Sequence, residues 1–258
     1  MNAMVNWLGQ RLAAILSKPS GSYRSTALTH PDLLARTLRP GDVILVDGST
    51  RASGFIKYLT QSIWSHAALF VGPLPGTEDA GGEAHQIVEA DMARGVVSSP
   101  VSRYADTHVR ICRPVGLSAE EIAAVTAFAR SRIGYAYDLG NIFDLFRYFM
   151  PLFLIPARFR RRVIAFGHGD PTRAICSTMI AEAFQQIGYP ILPEIEHVKK
   201  IIAASDGAIP ESVLIGEILH IRDHKLYVPR DFDISPYFAI VKPEIEGEFD
   251  FRSLTWAP

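Results

Sequence analysis

Short apolar runs set between turn residues dominate the first half of the chain. "PGDVILVDG" (residues 40–48) places Val43, Ile44, Leu45 and Val46 between Pro-Gly and Asp-Gly, which predicts a buried strand. A short helix is expected over residues 53–60. "SHAALFVG" (65–72) and "HQIVEA" (85–90) are two further apolar segments, separated by the Pro- and Gly-rich stretch "GPLPGTEDAGG". That arrangement predicts a β-hairpin with a long tip. Residues 109–113 read as another strand, carrying Cys112 in alternation with charged residues.

Helical periods follow. Ser118 and Glu121 have the spacing of a capping box, opening a helix whose apolar face is Ile122, Val125, Ala129 and Ile133 and which Gly134 ends. After the turn "GYAYD" (134–138), residues 139–156 are strongly apolar, but Asp144, Arg147 and two prolines interrupt them, which argues against a membrane span. Arg158, Arg160, Arg161 and Arg162 come next. The segment "AICSTMIAEAFQQIGYP" (174–190) has the clearest helical period, with Met179, Ile180, Ala183, Phe184 and Ile187 on one face and Gly188 and Pro190 as the stop. Beyond residue 218 the pattern is strand-like: "ILHIRDHKLYV" resembles a hairpin and "YFAIVKP" a final strand.

Ahead of these elements, Trp7, Leu8, Leu12, Ile15 and Leu16 recur at helical spacing, as in an amphipathic helix that packs on the domain, on a second copy or on a membrane surface. Residues 17–25, rich in Ser, Gly and Pro, read as a linker. We therefore expect an N-terminal helix and linker over residues 1–38 and one domain over 39–258. The start of the chain lacks the basic beginning and long apolar run of a signal peptide, so a cytoplasmic protein is expected, with peripheral membrane contact left open.

Composition adds limits. With 26 basic and 27 acidic residues among 258, no global field draws the protein onto nucleic acid. Two cysteines in dissimilar settings argue against a disulfide framework and fit a reducing compartment. No pair of histidines has convincing metal spacing, so neither a metal nor another cofactor is assigned.

Candidate chemistry centres on Cys176, in the first turn of the best-defined helix. Unpaired N–H groups and the helix dipole there favour a thiolate, and the amide of Cys176 could serve an oxyanion hole. A small buried core residue is the ordinary alternative for a cysteine. His66 is the candidate base, because it opens an apolar strand where a core histidine would be poorly satisfied. Glu89 closes the strand expected to pair with that of His66, so its carboxylate could orient the imidazole; otherwise it is a strand-end charge.

In their order, "PGDVILV", "SHAALFVG", "IVEA", "IGYAYD" and "AICSTMIAEAF" resemble the permuted papain-like amidases of bacteria, the YaeF/YiiX group, related to NlpC-type peptidases and to lecithin retinol acyltransferases. The resemblance spans residues 39–193, with a family-like tail near "YVPRDFDISPYFAIVKP". It implies an α+β, circularly permuted papain-like fold: an antiparallel sheet or small barrel packed against helices, with the cysteine helix at its core and the histidine strand ahead of it. It further implies a Cys176–His66–Glu89 cysteine hydrolase, a thiol amidase or peptidase acting on a cell-wall-peptide-like or amino-acyl substrate. Tyr135, Tyr137 and Asp138 match the family's turn near the substrate pocket, and Ser65 and Ser177, beside the histidine and the cysteine, join them as substrate-binding candidates. The apolar run 139–156 and its arginine flank exceed what a compact amidase needs, which keeps open a lipid-like substrate, a lipid acyltransferase or hydrolase, and a binding module without turnover. A homodimer through the N-terminal helix is also expected to be feasible.

Overall fold

The computed structural model describes residues 18–19, 23, 25, 29–79, 81–91, 94–135, 175–202, 212–220 and 222–246. The N-terminal amphipathic segment, most of the linker, Tyr137, Asp138, the apolar run 139–156 and the arginines that follow it lie outside the described residues.

Helix α1 (Pro31–Thr37) leads into β1 (Val43–Val46), followed by α2 (Arg51–Thr60), β2 (His66–Phe70), β3 (Ile87–Asp91), β4 (Gly95–Ser99), a 3-10 turn (Val101–Tyr104) and β5 (Val109–Pro114). Then come α3 (Ala119–Ser131), α4 (Ile175–Gln185), β6 (Glu194–Ile202), β7 (Ser212–His220), a second 3-10 turn (His224–Leu226), α5 (Pro229–Ile234), β8 (Phe238–Val241) and α6 (Pro243–Glu246). Six strands form one antiparallel sheet in the order β4-β3-β2-β1-β5-β8, and β6 pairs with β7 separately.

The uninterrupted run of β1 is explained by cover on both sides of the sheet. Val43 and Leu45 join Ala67, Leu69, Val88 and Cys112 on the face that receives Met179, Ile180 and Phe184 of α4 and Val125 and Ala129 of α3. Ile44 and Val46 point the other way, to Ala68, Phe70, Ile87 and Ile111, under Leu34 and Leu38 and the 3-10 turn residues Val101 and Tyr104. Alternation thus assigns each strand residue to one of two layers. Burying a side chain such as Phe184 contributes roughly 1.5–3 kcal/mol to this arrangement.

Local signals act where the sequence places them. Ser118 accepts from the Glu121 N–H while the Glu121 carboxylate accepts from the Ser118 N–H, closing the capping box of α3. Gly134, at φ 87°, turns the chain out of that helix. Its N–H donates to the carbonyl of Val96, and the Val96 N–H donates to the carbonyl of Tyr135, so the turn is stitched to β4. At Gly48 a Cβ would come within 2.4 Å of the Ser53 hydroxyl and 2.8 Å of the Ser65 hydroxyl, so only glycine fits between α2 and the start of β2.

Three features depart from the sequence reading. Helix α1 precedes the expected start of the domain at residue 39, and its Leu34 is buried in the second layer. The strand β4 was not anticipated. Residues 218–228 do not form the expected hairpin: 218–220 end β7, which pairs with β6, and the polar run Arg222–Asp223–His224 turns into a 3-10 turn before Pro229 starts a helix. Pro229 donates no amide to a ladder and suits the first helical position, which accounts for the switch.

Candidate active site

The site lies at the end of β2 where His66 begins the strand. By register, Val46 of β1 is opposite His66, and Glu89 of β3 is opposite Ala68. His66, Ala68 and Glu89 therefore share one face, with Glu89 diagonal to His66. Their side chains meet: His66 Nε2 lies 2.8 Å from Glu89 Oε2. Helix α4 packs on the opposite face, where Met179 and Ile180 bury against Ala67 and Leu69, and its first turn delivers Cys176 to the strand's end. There the imidazole of His66 and the backbone N–H of Ala67 both act on the thiol, favouring its anion. Since Nε2 is engaged by Glu89, Nδ1 is the ring nitrogen left for the sulfur.

Exposure is graded across the three groups. Glu89 is 1% exposed and Cys176 5%, whereas the imidazole between them is 24% exposed. A carboxylate so deeply buried needs donors, since an unpaired one would cost several kcal/mol. Four converge on it. Besides His66, Tyr104 donates its hydroxyl to Oε2 at 2.6 Å, Ser99 donates to Oε1, and Arg103 Nε sits 3.2 Å from Oε1.

The electrostatics follow from these contacts. Burial disfavours a charged imidazole, but the hydrogen bonds and charges of Cys176 and Glu89 outweigh it and raise His66 to about 10. Burial likewise opposes ionisation of Glu89, and His66, Arg103 and Ser99 reverse that, holding the carboxyl well below its usual range. For Cys176 burial again works against the anion, and His66, the Ala67 N–H and Ser177 bring the thiol below its ordinary value. Cys112 contrasts with it: burial, with Asp233 adding to it, drives that thiol far upward. Both cysteines are free. The cluster can therefore hold a thiolate beside an imidazolium that is itself braced by a carboxylate, an arrangement suited to nucleophilic attack followed by proton return.

The other sequence candidates are placed less uniformly. Ser177 is fully buried, its hydroxyl 3.9 Å from the Cys176 sulfur. Ser65 is also buried, and its hydroxyl is used inside the protein, accepting from the Gly48 N–H at 3.0 Å and reaching the carbonyl of Val46. Tyr135 is 55% exposed, with the Arg132 guanidinium 5.5 Å from its ring centroid. Sequence reasoning missed Ser99, Arg103 and Tyr104. The only available signal was "SSPVSRY", in which Pro100 ends a strand and starts a tight turn, and nothing in that pattern says that three side chains point back at one carboxylate. Among the described residues, no group of three or more His, Cys, Asp and Glu side chains is placed to hold a metal ion, and no helix is long and apolar enough to cross a membrane.

Comparison with known proteins bears on this geometry. No curated protein matches the chain. A crystal structure of the metalloprotein yiiX from Escherichia coli O157:H7 is similar at 17% identity and a TM-score of 0.43, over 79% of this chain and 96% of that one. Residues 37–149, which include His66 and Glu89 but stop short of Cys176, match the model of the permuted papain-like amidase enzymes, YaeF/YiiX, C92 family. That match covers the part of the chain that carries the His66 and Glu89 strands, and the described residues form an α+β fold with a six-stranded antiparallel sheet.

Proposed function

We propose that the protein is a cysteine amidase in which Cys176 is the nucleophile, His66 the acid–base and Glu89 the group that orients His66, acting on a small amino-acyl or cell-wall-peptide-like amide. One observation carries this reading: buried Glu89 engages Nε2 of His66 at 2.8 Å, and the same imidazole acts on the Cys176 thiol to bring it below its ordinary value. We take the resting thiol proton to reside on the imidazole, in keeping with a thiol brought below its ordinary value and a ring raised to about 10. The Cys176 thiolate attacks the amide carbon and forms the C–S bond. The imidazolium then gives its proton to the departing nitrogen as the C–N bond breaks, leaving a thioester and an amine. Water, deprotonated by the now neutral His66, attacks the thioester carbon. The acid product leaves and the thiolate–imidazolium pair is restored.

The test is selective alkylation by iodoacetamide, read by peptide mass spectrometry across pH, alongside hydrolysis of a panel of amino-acyl amides. Cys176 should react below the ordinary thiol range and stay reactive as the pH rises towards the His66 value of about 10, while Cys112 stays inert. Cys176→Ala should abolish hydrolysis with the fold retained. Two equally sluggish thiols, or hydrolysis that survives the substitution, would overturn the assignment.

A further inference from the structure

Glu89 is the group through which His66 is held, and the residues around it are arranged to hold Glu89 in turn. His66 faces it from β2, Ser99 from β4, and Arg103 and Tyr104 from the 3-10 turn. Like His66, Ser99 is a diagonal neighbour of Glu89, because Val97 is the residue directly opposite. The two oxygens are thereby distinguished: Oε2 takes His66 and Tyr104, and Oε1 takes Ser99 and Arg103. Asp91, further along β3, draws the same guanidinium, with Arg103 Nη2 3.8 Å from Asp91 Oδ2, and Arg94 pairs with Asp91 at 3.2 Å. Cys176, from α4, meets this set through His66.

We infer that Arg103 and Tyr104 are positioning residues of the proposed amidase site, Tyr104 fixing the direction of the Glu89 carboxylate and Arg103 balancing its charge. This rests on the assignment of Cys176, His66 and Glu89 made above. Direction comes from Tyr104 because its ring is buried in the layer under β2 and β3, so its hydroxyl has a fixed origin, and it shares Oε2 with the imidazole. Charge comes from Arg103 by counting. Thiolate and imidazolium cancel, leaving Glu89 as an uncompensated buried anion unless the guanidinium beside Oε1 offsets it. Arg103 is 41% exposed, so its removal opens no large hole, and the effect of its charge is moderated by water.

The consequence is a pair of opposed shifts that loss of packing alone does not produce. Deleting the cation of Arg103 leaves Glu89 to act undivided on His66, so the imidazolium is held more tightly and titrates higher. Deleting the anion of Glu89 does the reverse. Titration of His66 by NMR of the full chain, with labelled histidine and the signal assigned by its loss in His66→Asn, reads both. Arg103→Met should raise the His66 midpoint by about half a unit, Glu89→Gln should lower it, and Arg103→Lys should restore most of the wild-type value. Tyr104→Phe, which keeps the buried ring, should reduce kcat about tenfold with KM little changed. A His66 midpoint unmoved or lowered in Arg103→Met, while hydrolysis still depends on Cys176, would overturn the role of Arg103 alone. An unchanged kcat in Tyr104→Phe would overturn that of Tyr104. Hydrolysis surviving Cys176→Ala would instead overturn the site assignment, and both roles with it.

Discussion

His66 and Glu89 meet across two strands although neither is the other's direct partner: the residue opposite Glu89 is Ala68, and the 2.8 Å contact runs along the diagonal. A carboxylate in this place does more than attract a proton. In the proposed mechanism it selects which ring nitrogen carries hydrogen and leaves the other for the sulfur. Glu89→Gln retains the shape and removes the charge, so under the proposed mechanism we expect kcat to fall about 10³-fold or more, as in hydrolases that lose the group orienting their histidine. Circular dichroism and an unfolding midpoint near that of the wild type would show that the fold is retained. A kcat within a few-fold of the wild type would mean that Glu89 is a structural anion only.

The diagonal is open because the directly opposing side chain is a methyl. Ala68 is fully buried between Ile44 and Glu89 in the register of the sheet, so added bulk there has nowhere to go except toward the carboxylate. Ala68→Val should destabilise the protein by about 1–3 kcal/mol through overpacking. It should also lower kcat by more than tenfold by pushing Glu89 off His66. The two effects separate experimentally, since displacement of the carboxylate lowers the His66 titration midpoint and simple loss of stability does not. A destabilised variant with a wild-type His66 midpoint would show that the contact does not depend on the space above Ala68.

How far the sequence reveals this site depends on which physics wrote the pattern. The strands carrying His66 and Glu89 and the helix carrying Cys176 are legible because burial on fixed faces imposes periods of two and of 3.6 on apolar residues. Hairpin pairing of β2 with β3 follows from their proximity along the chain, and it brings His66 and Glu89 within reach. The donors around Glu89 are illegible for the opposite reason. Ser99, Arg103 and Tyr104 are polar residues at a strand end and in a single turn, where no period constrains them, and their common target emerges only when the turn folds back over β3. Helix α1 was hidden by its length of seven residues, too short to display an amphipathic repeat, and by its place next to a Ser- and Gly-rich stretch. The β6–β7 pair went unread although Asp206 and Gly207 stand between "EIEHVKKII" and "SVLIGEILH", because nine residues separate the two runs rather than the two of a tight hairpin.

A last relationship supports the frame on which the site is built. Asp42, just ahead of β1, is almost wholly buried and is gripped by Arg113 of β5 through two 2.8 Å bonds, one to each carboxylate oxygen. The same guanidinium donates to the Thr37 carbonyl at the end of α1 and reaches Glu246 of α6, and the Arg39 N–H adds a further bond to Asp42. Burial pushes the Asp42 carboxyl upward even so, with Arg113 and Arg39 pulling against it. Arg113→Met keeps the apolar stem and strands the carboxylate, so a loss of about 3–5 kcal/mol is expected at neutral pH. The sign of its pH dependence is fixed. With Arg113 gone, the folded-state pKa of Asp42 rises further above its unfolded value, so the folded form binds the proton more tightly and gains relative stability as the pH falls through that folded value. The deficit of Arg113→Met against wild type, measured as the difference in urea midpoints, should therefore shrink between about pH 7.5 and about pH 5. A deficit that stays constant or grows on acidification would show that Arg113 acts through packing and its bond to Thr37, and that the buried charge of Asp42 is not what it holds in place.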